Sequence, residues 1–183
     1  MKTIDFSTAE IQGIGRFVAG EDHLAFDWPG TQLHFALSGT ATLTLVMDGA
    51  RNWFNADING HRQLIETGNG TAQYTLTWPA EDTSAVSTVR LTQRTEGVAA
   101  TPEGRTGTVR FKGLIVDDDA SISAIPFPAR TMEFIGDSDT AAYGNMGPRT
   151  GLRPTDRSVF ANPAYQDASA SWAAVTANEF GAA

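Results

Sequence analysis

From residue 31 to about residue 116 the chain repeats with a period of two. Leu33, Phe35 and Leu37 fall on one side, His34 and Ala36 on the other. Leu43, Leu45 and Met47 alternate with Thr42, Thr44 and Val46. Ala72, Tyr74, Leu76 and Trp78 alternate with Gln73, Thr75 and Thr77, and Val109 and Phe111 with Arg110 and Lys112. Successive side chains of an extended strand point to opposite faces. Alternation of this kind therefore marks strands with one face on a core and the other in water.

Turn signals separate these runs. Asn59-Gly60 is the strongest, because a two-residue type I′ turn needs positive φ at both positions and Asn-Gly adopts it at little cost. It predicts a hairpin between "WFNADI" and "HRQLI". Further turns are expected at Gly39, at Asp48-Gly49, at Gly68-Asn69-Gly70 and between Gly97 and Gly107. With 18 glycines, 8 prolines and 41% hydrophobic residues, the chain favours strands and turns and has enough apolar mass for a core. Short strands at this spacing predict an antiparallel β-sandwich of jelly-roll type. The sequence shows no internal repeat and no low-complexity tract.

At 183 residues there is room for one domain, or for one and part of another. The net charge of -8 repels phosphate backbones and no basic cluster opposes it, which argues against a nucleic-acid partner. Cysteine is absent, so disulfides, thiolate metal sites and a cysteine nucleophile are excluded. No apolar run approaches the roughly 20 residues of a membrane-spanning helix. The first 17 residues lack an apolar signal core, and the compartment stays open. Asn69-Gly70-Thr71 matches a glycosylation sequon, a pattern that arises readily by chance.

The texture changes at Ile125-Pro126-Phe127-Pro128, a stiff connector that predicts a domain boundary: 1–128 as the sandwich, 129–183 as a second unit. "TMEFI" then reads as a short strand, followed by Gly136-Asp137-Ser138 and a loop rich in Gly, Pro and Arg. Asn162-Pro163 offers a helix cap with proline at the first position. Tyr165, Ala168, Trp172, Val175 and Phe180 predict an amphipathic helix of about four turns, ended by Gly181. Strand, loop and helix in that order form the opening unit of an α/β domain, where ligands bind beyond the strand ends. Ser138 stands just past such an end. Its hydroxyl could attack an acyl carbon and its N–H could face the developing oxyanion. Gly136 permits close approach, and Asp137 can accept hydrogen bonds from the loop. The competing reading is an ordinary polar turn after a strand.

"MEFIGDSDTAAYGN" resembles the first signature block of the SGNH (GDSL-like) hydrolases, and more narrowly that of carbohydrate esterase family 2, the acetyl xylan esterase group. "GRF" at Gly15, "DWPGTQLHFALSGTATLTLVMD" from Asp27, "NGHRQLI" from Asn59, "LTQRTEG" from Leu91 and "FKGLIVDD" from Phe111 fall in the order of that family's N-terminal jelly-roll domain. The resemblance covers essentially the whole chain. It implies deacetylation of plant polysaccharide, with Ser138 as nucleophile, a histidine as base, no cofactor and no metal. Gly136, Asp137 and Ser138 carry over. The family's later glycine, asparagine and histidine blocks have no counterpart here. His23, His34 and His61 all precede Ser138, and none follows it. For each we expect a surface side chain, His34 on the polar face of a strand. No pair of them has a metal-binding helical spacing. Asn145 belongs to the first block and is expected to fix the loop.

The chain also stops after a single predicted helix, so we expect a piece of a longer protein, with the remainder of the catalytic domain missing and the parent's export undecided. Three functions follow: a serine esterase fragment acting on acetylated polysaccharide or oligosaccharide, a carbohydrate-binding module, and an accessory domain shaping a cleft. For binding, Trp28, Trp53 and Trp78 are candidate stacking platforms. Core packing competes for each and is favoured for Trp78 by its phase with Tyr74 and Leu76.

Overall fold

The computed structural model describes residues 1–79, 85–97, 100–101, 104–147 and 162–182. The strands are β1 (Lys2–Asp5), β2 (Gln12–Ile14), β3 (Val18–Ala19), β4 (Leu24–Phe26), β5 (Gln32–Ser38), β6 (Thr42–Asp48) and β7 (Trp53–Ile58). They continue as β8 (His61–Glu66), β9 (Thr71–Thr77), β10 (Ser87–Gln93), β11 (Ala100–Thr101), β12 (Gly104–Arg105), β13 (Val109–Val116) and β14 (Ser121–Ser123).

Two six-stranded antiparallel sheets face each other. The first runs β3-β4-β13-β6-β9, with β1 also on β13. The second runs β14-β5-β10-β7-β8, with β2 also on β5. The residues that alternate in the sequence lie between them: Leu33, Phe35, Leu37, Leu43, Leu45, Met47, Val109 and Phe111 are buried in one cluster. Burial of this apolar area is the main favourable term for the sandwich. The fold class read from the sequence is thus the one observed, an antiparallel β-sandwich followed by a short helix.

The β7–β8 hairpin turns at Asn59 (φ 51°) and Gly60 (φ 82°), the positive pair that a type I′ turn demands. Asn59 Oδ1 also accepts from the Thr88 amide at 2.9 Å, tying the turn to β10.

The segment expected to form a second unit, 129–183, departs from expectation in two places. "TMEFI" joins no ladder: among the described residues no strand pairs with it. The four-turn helix is broken into three shorter pieces. Asn162 does cap a turn with Pro163 in its first position, but that turn, Pro163–Tyr165, is 3-10. A second 3-10 turn, Ala168–Ala170, starts at Asp167, whose side chain accepts from the Ser169 amide. The α-helix α1 is Trp172–Glu179, capped by the Ser171 hydroxyl and ended by Gly181 at φ 61°. Asp167 and Ser171 each satisfy amides that a continuous helix would bond to carbonyls, so each restarts the chain. The face of α1 that is buried is Ala173 and Ala177, whereas Trp172, Val175 and Phe180 are exposed.

Candidate functional site

Residues 137–147 form a string of tight turns on the far side of the Pro126–Pro128 connector. The Tyr143 amide donates to the Ser138 carbonyl at 2.8 Å and the Ala141 amide to the Asp137 carbonyl at 3.0 Å. Asp137 Oδ1 accepts from the Asp139 amide at 3.2 Å, so this carboxylate stiffens the turn that presents Ser138. Gly136 stands where a Cβ would lie 2.9 Å from Thr140 Cβ and closer still to its hydroxyl; any larger residue would force the turn open.

Ser138 is partly exposed. Among the described residues neither its hydroxyl nor its amide N–H has a hydrogen-bond partner. A free hydroxyl and a free donor on one residue can attack a carbonyl and also hold part of the oxyanion that forms.

No described histidine pairs with that hydroxyl. His23 Nδ1 is 2.8 Å from Asp22 Oδ1. His61 is exposed at the start of β8. His34 corrects the solvated reading: it is half-buried, 2.6 Å from Gln32 Oε1, with its ring centroid 6.1 Å from that of Phe127. Burial lowers its pKa to about 4, and the Arg90 charge works in the same direction. The cause is the chain beyond β14, which returns over the outer face of the second sheet and covers a position that alternation assigns to water.

The three candidate tryptophans separate. Trp78 is buried, and its indole N–H donates to Ser87 Oγ at 3.0 Å, so it is a core residue and no platform. Trp53 is half-buried at the start of β7. Trp28 is 55% exposed, and the Arg16 guanidinium lies 5.2 Å from its ring centroid. Arg16 Nη2 also meets Glu133 Oε1 at 2.6 Å, linking the Trp28 loop to the segment that leads into Ser138.

The outer face of the second sheet carries residues that the sequence reading missed. Asn55, Asp57, Arg62, Arg90 and Arg94 form a polar group there. Asp57 Oδ1 accepts from Arg62 Nε at 2.9 Å, and its Oδ2 lies 3.3 Å from Arg90 Nη2. Residues 166–169 pack on this face. Burial works against the Arg94 charge, and Asp167 supports it. Glu96, in the loop after β10, has its carboxyl pushed up by burial. Arg105 opposes that shift, and the negative charge of Asp137 adds to it. Among the described residues no group of three or more His, Cys, Asp or Glu is arranged to hold a metal. No helix among them is long and apolar enough to cross a membrane.

Fold and site together define a β-sandwich whose outer face holds residues 166–169 and, bonded to them, a tight turn with a partly exposed serine. The family model described as "Carbohydrate esterase 2 N-terminal" matches residues 13–126, more than half of the chain. The chain belongs to the carbohydrate esterase 2 family. It is 29% identical over 123 residues to an acetylxylan esterase / glucomannan deacetylase of Cellvibrio japonicus, covering 67% of this chain and 31% of that protein. It is 28% identical over 155 residues to the cellulase/esterase CelE of Acetivibrio thermocellus, covering 85% of this chain and 17% of that one. Among solved structures, a family two carbohydrate esterase from Cellvibrio japonicus shares the fold, with TM-score 0.78 at 23% identity over 99% of this chain and 50% of that one. One from Clostridium thermocellum, in complex with cellohexaose, gives TM-score 0.77 at 26% identity over 94% and 49%. The chain therefore spans about half the length of these structures and a smaller share of the curated relatives.

Proposed function

We propose that this chain supplies the sandwich and the nucleophile turn of an esterase that removes O-acetyl groups from plant cell-wall polysaccharide of the xylan or glucomannan type. Ser138 attacks the acetyl carbonyl, its proton passes to a histidine base, an acyl-enzyme forms, and water releases acetate. Gly136 and Asp137 hold the turn. The observation that carries the reading is that, among the described residues, the hydroxyl and N–H of Ser138 have no hydrogen-bond partner, in a chain whose family relatives include an acetylxylan esterase / glucomannan deacetylase. On this reading the base lies outside these 183 residues, since among the described residues no histidine hydrogen-bonds Ser138 and no histidine follows it in the sequence. A serine without a base is a weak nucleophile at neutral pH, so this chain alone should hydrolyse 4-nitrophenyl acetate at close to the buffer rate.

The test is the coding sequence downstream of Ala183 and the activity of its product. We expect a downstream histidine, and acetate release from acetylated xylan or glucomannan that falls about a thousandfold in Ser138→Ala. Full activity in that variant overturns the assignment. So does a fast reaction of the 183-residue chain that the variant abolishes, because the base would then be inside it.

Trp28 favours a second reading, in which the sandwich itself binds sugar. Its ring is largely exposed, and Arg16 connects it to the segment before Ser138. Calorimetric titration with xylan and glucomannan oligosaccharides tests this. Heat of binding that disappears in Trp28→Ala supports it, and absence of heat in the unaltered chain sinks it.

A further inference from the structure

We propose that Arg94 and Asn55, on the outer face of the sandwich, are positioning residues for the loop that carries Ser138, acting through Asp167 and Asn145. The inference rests on the reading of Ser138 as nucleophile and adds to it a role for the sandwich.

Two sets of bonds meet on Asp167. One comes from the loop. Asn145 Nδ2 donates to the Asp167 carbonyl at 3.0 Å, and the Asp167 amide donates to Asn145 Oδ1 at 2.9 Å. The side-chain amide thus pairs with the backbone as a neighbouring strand would. The Met146 amide donates to the Tyr165 carbonyl at 3.0 Å. Among the described residues, every hydrogen bond from loop 137–147 to an element beyond it ends on Tyr165 or Asp167.

The other set comes from the sandwich. Asn55 Nδ2 donates to Asp167 Oδ1 at 3.0 Å and to Ser169 Oγ at 2.9 Å. Arg94 Nε donates to the Gln166 carbonyl at 3.0 Å, and Arg94 Nη1 donates to Asn55 Oδ1 at 3.2 Å. The Arg94 carbonyl accepts from the Ala168 amide at 3.0 Å. Arg94 and Arg62 each place a guanidinium nitrogen 3.8 Å from Asp167 Oδ2. The sandwich thereby grips residues 166 to 169 in succession.

Asp167 belongs to both sets at once, its carboxylate to the sandwich and its backbone to the loop. Asn55 is fully buried and the Asp167 side chain nearly so. Buried polar groups bonded on every side have one arrangement, and a loop tied to such a group takes that arrangement with it. The Tyr143 to Ser138 bond passes it on to the serine. A surface latch that only held two units together would not need to end on the loop.

Amide hydrogen exchange by NMR on the 15N-labelled chain tests the relay. In Arg94→Ala, exchange at Met146, Asp167 and Ser169 should rise about tenfold or more, while Leu45 and Leu114 in the first sheet stay within about threefold. Guanidinium ion added at low concentration should restore much of the protection. In Asn145→Ala, Met146 and Asp167 should exchange faster while Ser169 stays protected, because the carboxylate clamp survives. Unchanged exchange at Met146 and Asp167 in both variants overturns the proposal. So does an equal rise at Leu45 and Leu114, which would make Arg94 a general stability residue. The exchange rates read the loop whether or not Ser138 attacks an ester. The acetate-release assay reads that separately, so the two failures are distinguishable.

Discussion

β7 buries residues of opposite character on its two faces. Inward, Phe54, Ala56 and Ile58 are excluded from water in a purely apolar cluster. Outward, Asn55 is excluded just as completely, among Arg94, Asp167 and Ser169. The first face is stabilised by area removed from water, at about 25 cal/mol per Å², and needs no particular partner. The second gains little net energy from each hydrogen bond but loses heavily when one partner is removed, since the other stays buried and unpaired. The inner face builds the sandwich. The outer face fixes where the next segment of chain must lie.

The largest expected effect tests the inner face. Phe111→Ala removes a fully buried ring and should cost about 3–5 kcal/mol. Because the cluster is shared by both sheets, the loss should be global, lowering the urea midpoint read by far-UV circular dichroism. Asp167→Ala tests the outer face. We expect about 3 kcal/mol, the low end for a broken buried pair, because Arg94 keeps its bonds to Asn55 and Gln166. That loss should be local. Limited proteolysis should cut near residues 162–171 while the urea midpoint of the sandwich hardly moves. A matching fall in that midpoint would show that the two faces are one cooperative unit.

His34, on β5 between β2 and β10, gives a smaller, pH-dependent effect. Its pKa is lowered to about 4 in the folded protein, chiefly by burial. Unfolded, it titrates near 6.5. The folded state therefore binds fewer protons between these values, and stability falls as pH drops from about 6.5 towards 4. Allowing for its partial exposure, the loss is about 1–2 kcal/mol. Urea midpoints measured at several pH values should show this slope, and His34→Gln should flatten it. An unchanged slope would move the effect to the carboxylates.

The same contrast separates what the sequence revealed from what it hid. Strands with one apolar face leave a period-two record, so β5, β6, β9 and β13 were legible residue by residue, as was the turn at Asn59-Gly60. The Gly136-Asp137-Ser138 turn was legible from its motif. Alternation assigns a residue to the outside of a sheet but cannot say whether later chain covers it. His34 is covered by a segment 93 residues away (127 − 34), and Arg94 and Asn55 by residues 166 to 169. "LTQRTEG" shows Arg94 at a strand end, with nothing local to mark it as buried. The helix was read from apolar spacing alone, and the caps at Asp167 and Ser171 were the signal that should have divided it. "TMEFI" is β-prone, but a strand is a property of a pair, and among the described residues none pairs with it.

The smallest expected effect comes from a second link between sandwich and loop segment, the Arg16–Glu133 pair. Both side chains are about two-thirds exposed, at 65% and 64%, so water and salt screen them. Arg16→Ala should therefore cost about 0–0.5 kcal/mol in urea unfolding and vanish into error at high salt. Its distance of 2.6 Å is shorter than any bond Arg94 makes, yet Arg94 should matter far more. Burial, rather than length, decides the difference. If Arg16→Ala exposed the loop segment to protease as strongly as Asp167→Ala does, the outer face would have no special claim to fix the serine turn. The two links would then have to be treated as equals.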